Sequence, residues 1–393
     1  LPSFFFFFEI RELWHFLYQK EKIMLLRASF ENFMNFEDKF TFDLSNVDEK
    51  YSFNKECVEN GIISKALIYG KSGRGKSNLG KVFLDLKRTL SNNDNQFESG
   101  TNYLNANGLY PDARFSFEFK FEDTKVKYSY HKKDSNILTY EKLEIDDIVE
   151  FEFDFQNKKL IQAKELLDNI ELDSIDSSYS IIKHYYNSTS PGNRNSSIVA
   201  LFDFIRKIYV FSPSPNELGI DNSKHSKEKI INHIIEHEYI DDFNKFLNDI
   251  IDLDIPVVQK ELPTKQKNLY FKFKNGNLLD FSTNASSGSK CLLNLFAIYK
   301  WAENAISLLY IDEFDASYHY QASMKIIDKF KKIPKIQCIF TTHNTDLMNN
   351  EFLRPDCYFI LSSKKIKSLP YLTKRDLQEG HNLEKLYQAG EFD

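Results

Sequence analysis

Alternation of apolar and polar residues dominates the first half of the chain. A two-residue period runs through segments 24–45 and 113–155, most clearly in RFSFEFKF and VEFEFDF. Because successive side chains of a strand point to opposite faces, this pattern predicts antiparallel strands with one buried and one wet face. A further hairpin is predicted over 269–281, where Asn275-Gly276 is a preferred turn.

The hydrophobic pattern changes in the rest of the chain. Residues 160–260 follow a mostly helical spacing. The last third alternates short apolar runs with amphipathic segments, as in SLLYID, QASMKIIDKFKK and IQCIFTTH. That alternation is typical of a parallel sheet covered by helices. The fold class is therefore predicted as α/β, with an antiparallel β subdomain and a helical subdomain.

Four segments follow from these patterns: a leader at 1–23, an N-terminal lobe at 24–160, a mostly helical insertion at 161–262 and a C-terminal lobe at 263–393. The leader contains five consecutive phenylalanines but lacks the basic start and cleavage site of a signal peptide. Because the ordered strand pattern begins at Met24, we expect the leader to lie upstream of the natural start or to be disordered.

Composition narrows the class of protein. Hydrophobic residues make up 42% of the chain, and the net charge is −6. No apolar run approaches the roughly 18 to 20 residues of a membrane span. The four cysteines are far apart and form no C-x-x-C pair, which favours reduced thiols over a zinc site. We therefore expect a cytoplasmic globular protein with no membrane partner.

A glycine-rich segment carries the clearest chemistry. It fits the pattern G-x-x-x-x-G-K-[ST], with an apolar strand before it and a helical pattern after it. Such a loop aims backbone N–H groups at phosphates, while its Lys76 contacts the β- and γ-phosphates and its Ser77 ligates Mg²⁺. The predicted ATP-binding residues here are Gly70, Lys71, Ser72, Gly73, Arg74, Gly75, Lys76, Ser77 and Asn78.

Two later strands are predicted to end in reactive side chains. SLLYIDEFD ends a buried strand in Asp312-Glu313, and IQCIFTTH ends another in His343. Open α/β sheets bind ligands at the carboxyl ends of their strands. Asp312 is thus a predicted Mg²⁺ ligand, and Glu313 is the predicted base that orients or deprotonates the attacking water. His343 is predicted to reach the γ-phosphate.

The order of these motifs resembles the ATP-binding-cassette (ABC) class. In that class, the stretch ASSGS (285–289) occupies the place of the signature loop. The resemblance implies that Ser286, Ser287 and Gly288 contact the ATP bound to another subunit, so that the protein forms at least a dimer. Adjacent glycines and a preceding leucine, which are usual in that loop, are replaced here.

Several motifs together resemble the ABC-type ATPases related to RecF, to SMC proteins and to the overcoming-lysogenization-defect (OLD) group. They are RASFENFMNFED, the Ser-Ser-Gly-Ser-Lys loop, IDEFDASYH, TTHNTDLM and the tail TKRDLQEGHNLEKLYQAGEFD. The resemblance implies an interface role for Asp315 and His319. Arg375 and Tyr387 in the tail are candidates for coupling ATP hydrolysis to a partner.

The resemblance also implies a role in anti-phage defence or DNA metabolism. The 50 residues after His343 are too few for the Toprim nuclease of OLD proteins, which favours a separate effector such as a nuclease, as in PARIS or Septu systems. A RecF-like DNA-binding ATPase of DNA repair is the main alternative. A transporter ATP-binding subunit fits the start and tail less well.

A different chemistry is suggested by NHIIEHE (232–238), which contains H-x-x-E-H. His233 and His237 share one helix face, as in inverted zinc proteases. However, the neighbouring isoleucines and phenylalanines make the segment an ordinary amphipathic helix. A helical surface is therefore the expectation, and a zinc site is the alternative.

Overall fold

The computed structural model describes residues 23–91, 102–164, 176–213, 227–262, 267–303 and 305–393. Apart from Ile23, the predicted leader lies outside these ranges.

A large antiparallel sheet forms one layer of the molecule. Its strands are β1 (Ile23–Glu31), β2 (Phe40–Asp43), β6 (Ala113–Phe121), β7 (Thr124–Lys132), β8 (Leu138–Ile145), β9 (Ile148–Asp154) and β10 (Lys159–Ala163). Their order is β10-β9-β8-β7-β6-β1-β2. Phe115, Phe117 and Phe119 of β6 are at most 2% exposed, and polar residues alternate with them on the wetter face. This confirms the strands predicted over 24–45 and 113–155.

A second, mainly parallel sheet forms the centre of the molecule. Its strands are β5 (Lys65–Tyr69), β11 (Ile208–Phe211), β15 (Leu308–Ile311), β16 (Gln337–Thr342), β17 (Tyr358–Leu361) and β18 (Ile366–Ser368). Their order is β11-β15-β16-β5-β17-β18, and only the β17–β18 pair is antiparallel. The carboxyl ends of β5, β15 and β16 therefore meet at one edge.

Two small sheets complete the strands. They contain β3 (Val58–Glu59) with β4 (Ile62–Ile63), and β12 (Val257–Glu261), β13 (Lys267–Lys272) and β14 (Leu278–Asp280). The predicted hairpin is confirmed, because β13 pairs antiparallel with β14. Gly276 supplies the positive φ of 86° that its turn needs.

Helices pack on the central sheet and against one another. They are α1 (Lys76–Leu90), α2 (Ile181–Ser188), α3 (Ser196–Arg206), α4 (Lys227–Glu236), α5 (Ile240–Ile251), α6 (Phe281–Asn284), α7 (Ser287–Ala302), α8 (Tyr320–Lys331) and α9 (Leu383–Gln388). Helix α1 packs on β11 and α3, and α5 packs on α7 and α8. The segment predicted as mostly helical thus also contributes β11 to the central sheet, which was not foreseen.

The two large sheets are joined by a buried side chain. Gln337 of β16 accepts a hydrogen bond from the backbone N–H of Leu25 at 2.7 Å and donates to the Leu25 carbonyl at 2.9 Å. Phe42 of β2 also packs on Phe359 of β17, with ring centroids 4.9 Å apart. These contacts fix the antiparallel sheet against the central sheet, and Gln337 lies at the amino end of β16, away from the carboxyl ends that carry the candidate site. Among the described residues, no helix is long and apolar enough to cross a membrane.

Candidate nucleotide-binding site

The glycine-rich segment forms a loop between the end of β5 and the start of α1. Gly73 and Gly75 have φ angles of 74° and 99°, a region that side chains other than glycine rarely adopt. A Cβ on Gly73 would meet no atom within 4 Å, so the loop is open there. The loop passes directly into the amino terminus of α1, where N–H groups and the helix dipole favour an anion. This arrangement suits a phosphate group.

Lys76 lies at the centre of the site with its side chain only 4% exposed. Its Nζ donates to the Gly70 carbonyl at 3.0 Å and lies 2.8 Å from Nε2 of His343. It also lies 3.9 Å from Oε1 of Glu313. Burial lowers the pKa of Lys76, and the charges of Glu313, Asp312 and Asp315 oppose that shift. The lysine is thus a desolvated positive group beside the loop.

The acidic end of β15 is held by the neighbouring strand. Thr341 Oγ1 donates to Asp312 Oδ1 at 2.7 Å and accepts from the backbone N–H of Glu313 at 2.8 Å. Asp312 is buried, whereas Glu313 has a φ of 48° and turns its half-exposed side chain toward the site. A left-handed conformation costs a non-glycine residue about 1 kcal/mol or more and persists where its surroundings fix it.

Lys76, at the start of α1, forms one cluster with the two side chains that follow β15 and β16. His343 follows β16, and its Nε2 lies 2.8 Å from Oε1 of Glu313. The same nitrogen lies within hydrogen-bonding distance of Lys76. The structure therefore brings Lys76, Glu313 and His343 together beside the phosphate loop.

The residues predicted to hold Mg²⁺ have suitable chemistry. Asp312 offers a buried carboxylate at the end of β15, and Ser77 offers a hydroxyl in the first turn of α1. Mg²⁺ prefers such hard oxygen donors together with phosphate oxygens. The donor set fits the ion.

The stretch predicted as a signature loop caps a helix. Ser286 is the N-cap of α7, and its Oγ accepts from the Ser289 N–H at 3.1 Å. A Cβ on Gly288 would lie 3.2 Å from the carbonyl oxygen of Ser317. The loop therefore packs against the segment that follows Glu313.

That segment and the tail contain the other residues singled out from the sequence. Thr342 Oγ1 donates to Asp315 Oδ2 at 2.7 Å, and burial raises the pKa of Asp315. His319 is the N-cap residue of α8. Tyr387 of α9 packs against Tyr69, the last residue of β5, with ring centroids 4.7 Å apart. Arg375 pairs with Glu391 at 3.6 Å.

Sequence reasoning missed three residues that touch this site. Asn35 contacts the phosphate loop, Thr341 holds the acidic strand end, and Tyr310 donates its hydroxyl to the Lys76 carbonyl at 2.5 Å. Thr341 lies in the quoted strand IQCIFTTH, but nothing in the spacing of that strand indicated its contacts with Asp312 and Glu313. Asn35 and Tyr310 lie within the quoted motifs RASFENFMNFED and SLLYIDEFD, but nothing in those motifs indicated their contacts with the phosphate loop and Lys76.

The H-x-x-E-H segment is engaged in helix packing. His233 Nε2 accepts from the indole N–H of Trp301 at 2.9 Å, and its ring lies against that of His237. Within the described ranges, no group of three or more His, Cys, Asp or Glu side chains could hold a metal ion. The geometry agrees with the expected helical surface.

The strand order and phosphate loop define a P-loop α/β head, with an antiparallel sheet and helices added to it. This confirms the predicted fold class. Residues 65–349 match the protein family described as "AAA domain, putative AbiEii toxin, Type IV TA system". The match spans more than half of the chain, and the protein belongs to this family.

Other comparisons give weaker similarity. No curated protein matches the chain. The SMC head domain from Thermotoga maritima is 13% identical, with a TM-score of 0.41 over 88% of this chain and 98% of that one. The SMC head bound to the C-winged helix domain of ScpA is 15% identical, with a TM-score of 0.46 over 88% and 97%. A Pyrococcus furiosus SMC head with an extended coiled coil is 13% identical, with a TM-score of 0.42 over 94% and 99%.

Proposed function

We propose that the protein is a Mg²⁺-dependent ATPase. The observation that carries this proposal is the convergence of Lys76, Glu313 and His343 beside the phosphate loop. A positive group, a carboxylate and an imidazole at one strand edge are the groups needed to bind a triphosphate and to direct water at it. Membership of the AAA family supports the same chemistry.

Each residue has a distinct part in the proposed reaction. Backbone N–H groups of residues 70–77 hold the phosphates, and Lys76 neutralises charge on them. Glu313 orients the attacking water and accepts its proton as the bond between the β- and γ-phosphates breaks. His343 lies against Glu313 and would donate a hydrogen bond to a γ-phosphate oxygen. Ser77 and Asp312 would hold Mg²⁺, which supplies further neutralisation of the phosphates.

The direct test is phosphate release by the purified protein. Turnover should require ATP and Mg²⁺, and EDTA should stop it until excess Mg²⁺ is restored. Turnover that persists in EDTA would contradict metal-dependent hydrolysis. The absence of both ATP binding and turnover would contradict the proposed function itself.

The second part of the proposal is assembly. Ser286, Ser287 and Gly288 of one copy would contact the ATP held by Lys76 and Ser77 of another. Small side chains at the amino terminus of α7 allow close approach to a phosphate and present helix N–H groups to it. A head-to-tail dimer would then close on ATP and open after hydrolysis.

The proposed biological role is control of a separate effector, of which a nuclease is the expected class, in bacterial anti-phage defence. The family description names a toxin of a type IV TA system, which supports action together with another gene product. A Glu313→Gln protein loaded with ATP and purified from its host should retain that effector. Copurification that nuclease treatment abolishes would instead favour the RecF-like DNA-binding alternative.

A further inference from the structure

Asn35 lies in the turn between β1 and β2 and reaches the phosphate loop from outside the motif. Its Nδ2 donates to the Arg74 carbonyl at 3.3 Å, and its Oδ1 accepts from Nδ2 of Asn78 at 2.7 Å. One side-chain amide thereby joins the backbone of the loop to the first turn of α1.

The packing between this amide and the loop is close. A Cβ on Gly75 would lie 2.5 Å from Nδ2 and 2.6 Å from Oδ1 of Asn35. Glycine at this position therefore serves two purposes: it permits the φ of 99°, and it leaves room for the asparagine amide.

The turn that presents Asn35 is strained. Asn32 and Met34 have φ angles of 52° and 50°, although neither is glycine. Backbone strain of this kind clusters where a fixed geometry serves function. The strain occurs next to the residue that touches the phosphate loop.

Several hydrogen bonds from residues outside the turn hold it in this conformation. The buried Asn32 amide donates to the carbonyls of Tyr110 and Asp112 at 2.9 and 2.8 Å. Met34 is held on both sides, because its N–H donates to the Tyr103 carbonyl at 3.0 Å and its carbonyl accepts from Asn105 Nδ2 at 2.8 Å. These hydrogen bonds with residues 103–112, the segment that leads into β6, therefore fix the position of Asn35.

We propose that Asn35 is a positioning residue for nucleotide binding. Its amide holds the Arg74 carbonyl and the start of α1, so that the intervening loop N–H groups stay aimed at the phosphates. Because the turn 32–36 is held by residues 103–112, this geometry depends on the segment that leads into β6. The inference rests on the proposed function, since it concerns the same nucleotide site.

The test is ATP affinity of Asn35→Ala, measured by titration calorimetry. Loss of two hydrogen bonds that preorganise the loop should raise the Kd for ATP about tenfold. At saturating ATP, kcat should stay within about threefold of the wild-type value, since the residue acts on binding. Asn107→Ala, an exposed asparagine in the segment that contacts the turn, is the matched control and should bind as the wild type does.

A double-mutant cycle with Asn78→Ala separates positioning from general destabilisation. If the amide pair acts as one unit, the double variant should bind ATP about as weakly as the weaker single variant. The thermal unfolding temperature without nucleotide should be unchanged in Asn35→Ala, because the side chain is exposed. An unchanged Kd, or effects that simply multiply, would overturn the inference. If the wild type fails to bind ATP, the proposed function fails instead.

Discussion

The glycine-rich loop 70–77 and the loop 285–289 each lead into a helix, but the two loops make different contacts. We call the loop 70–77, together with the adjoining carboxyl ends of β15 and β16, the phosphate edge. At the phosphate edge, the Gly70 carbonyl and the side chains of His343 and Glu313 surround Nζ of Lys76. In the other loop, the hydroxyl of Ser286 bonds within its own helical turn, to Ser289. One loop gathers reactive groups around itself, while the other presents a capped helix end.

This difference indicates how the two loops can share one task. The phosphate edge contains the cation, the proposed base and the predicted metal ligands, so ATP binding can belong to a single chain. The loop 285–289 offers N–H groups and small side chains, and within the described part of the chain the hydroxyl of Ser286 bonds to Ser289 and to no charged side chain. Its proposed use is therefore to complete the site of another copy, and the following experiments test that division.

The largest effect is expected for Lys76→Ala. Removing the buried cation that is proposed to contact the phosphates should lower ATP affinity by at least about 100-fold, as expected for the loss of a charged phosphate contact in a desolvated site. Calorimetric titration with ATP measures this directly. Lys81→Ala, farther along α1, is the control that should leave binding intact. ATP affinity near the wild-type value in Lys76→Ala would show that the phosphate edge is not the nucleotide site.

Glu313→Gln should separate binding from chemistry. The amide keeps the size of the side chain but cannot accept a proton from water, so kcat should fall by about 100-fold or more. ATP binding should be retained, and size-exclusion chromatography with light scattering should show more dimer with ATP than without it. Unchanged turnover would refute Glu313 as the base.

The candidate site could be predicted from sequence where its chemistry depends on local order. The phosphate loop needs consecutive residues, and Glu313 and His343 stand directly after apolar strand patterns. Asn35 was not predictable, because it meets Arg74 and Asn78 only after a turn folds back onto the loop. That contact depends on tertiary structure and leaves no spacing signal.

The same limit applies to the fold. Long alternating segments identified the antiparallel sheet, since a two-residue period over nine residues is difficult to produce otherwise. Strand β11 has only four residues, Ile-Tyr-Val-Phe, within helical surroundings. A short apolar run does not distinguish a strand from a buried helix end. Only its parallel pairing with β15 shows that it belongs to the central sheet.

Ser286→Arg tests the division between the two loops. A bulky cation at the N-cap of α7 should leave ATP binding within about threefold of wild type but block ATP-driven assembly, because the proposed contact lies on the partner's nucleotide. Phosphate release should fall at least about tenfold if assembly is needed to complete the site. Normal assembly and turnover in this variant would make the loop a simple connection.

Mixing two inactive variants gives the sharper form of this test. In a dimer of Ser286→Arg with Lys76→Ala, one of the two sites combines an intact Lys76 with an intact Ser286 only if the residues act across the interface. Some phosphate release should therefore return on mixing. Mixing Glu313→Gln with Lys76→Ala is the matched control and should restore none, because both residues serve the same chain's nucleotide. Equal behaviour of the two mixtures would contradict action across the interface.

The smallest effect is expected at Asp315, which lies in the segment that follows Glu313 and packs against the loop 285–289. Burial raises the pKa of Asp315 above its unfolded value, so the folded protein holds this proton more tightly. Stability from this group is therefore complete below the unfolded pKa of about 3.9 and is lost as pH rises through the higher folded pKa.

Asp315→Asn cannot ionise, so this variant should not lose stability as pH rises through that window. Its melting temperature relative to wild type should increase with pH across this window, by about 2 °C. Thermal unfolding from acid to neutral pH measures the difference, with the exposed Asp123→Asn as control. A melting-temperature difference that does not change with pH would show that folding leaves the pKa of Asp315 unchanged, and would contradict the effect of burial on this carboxyl.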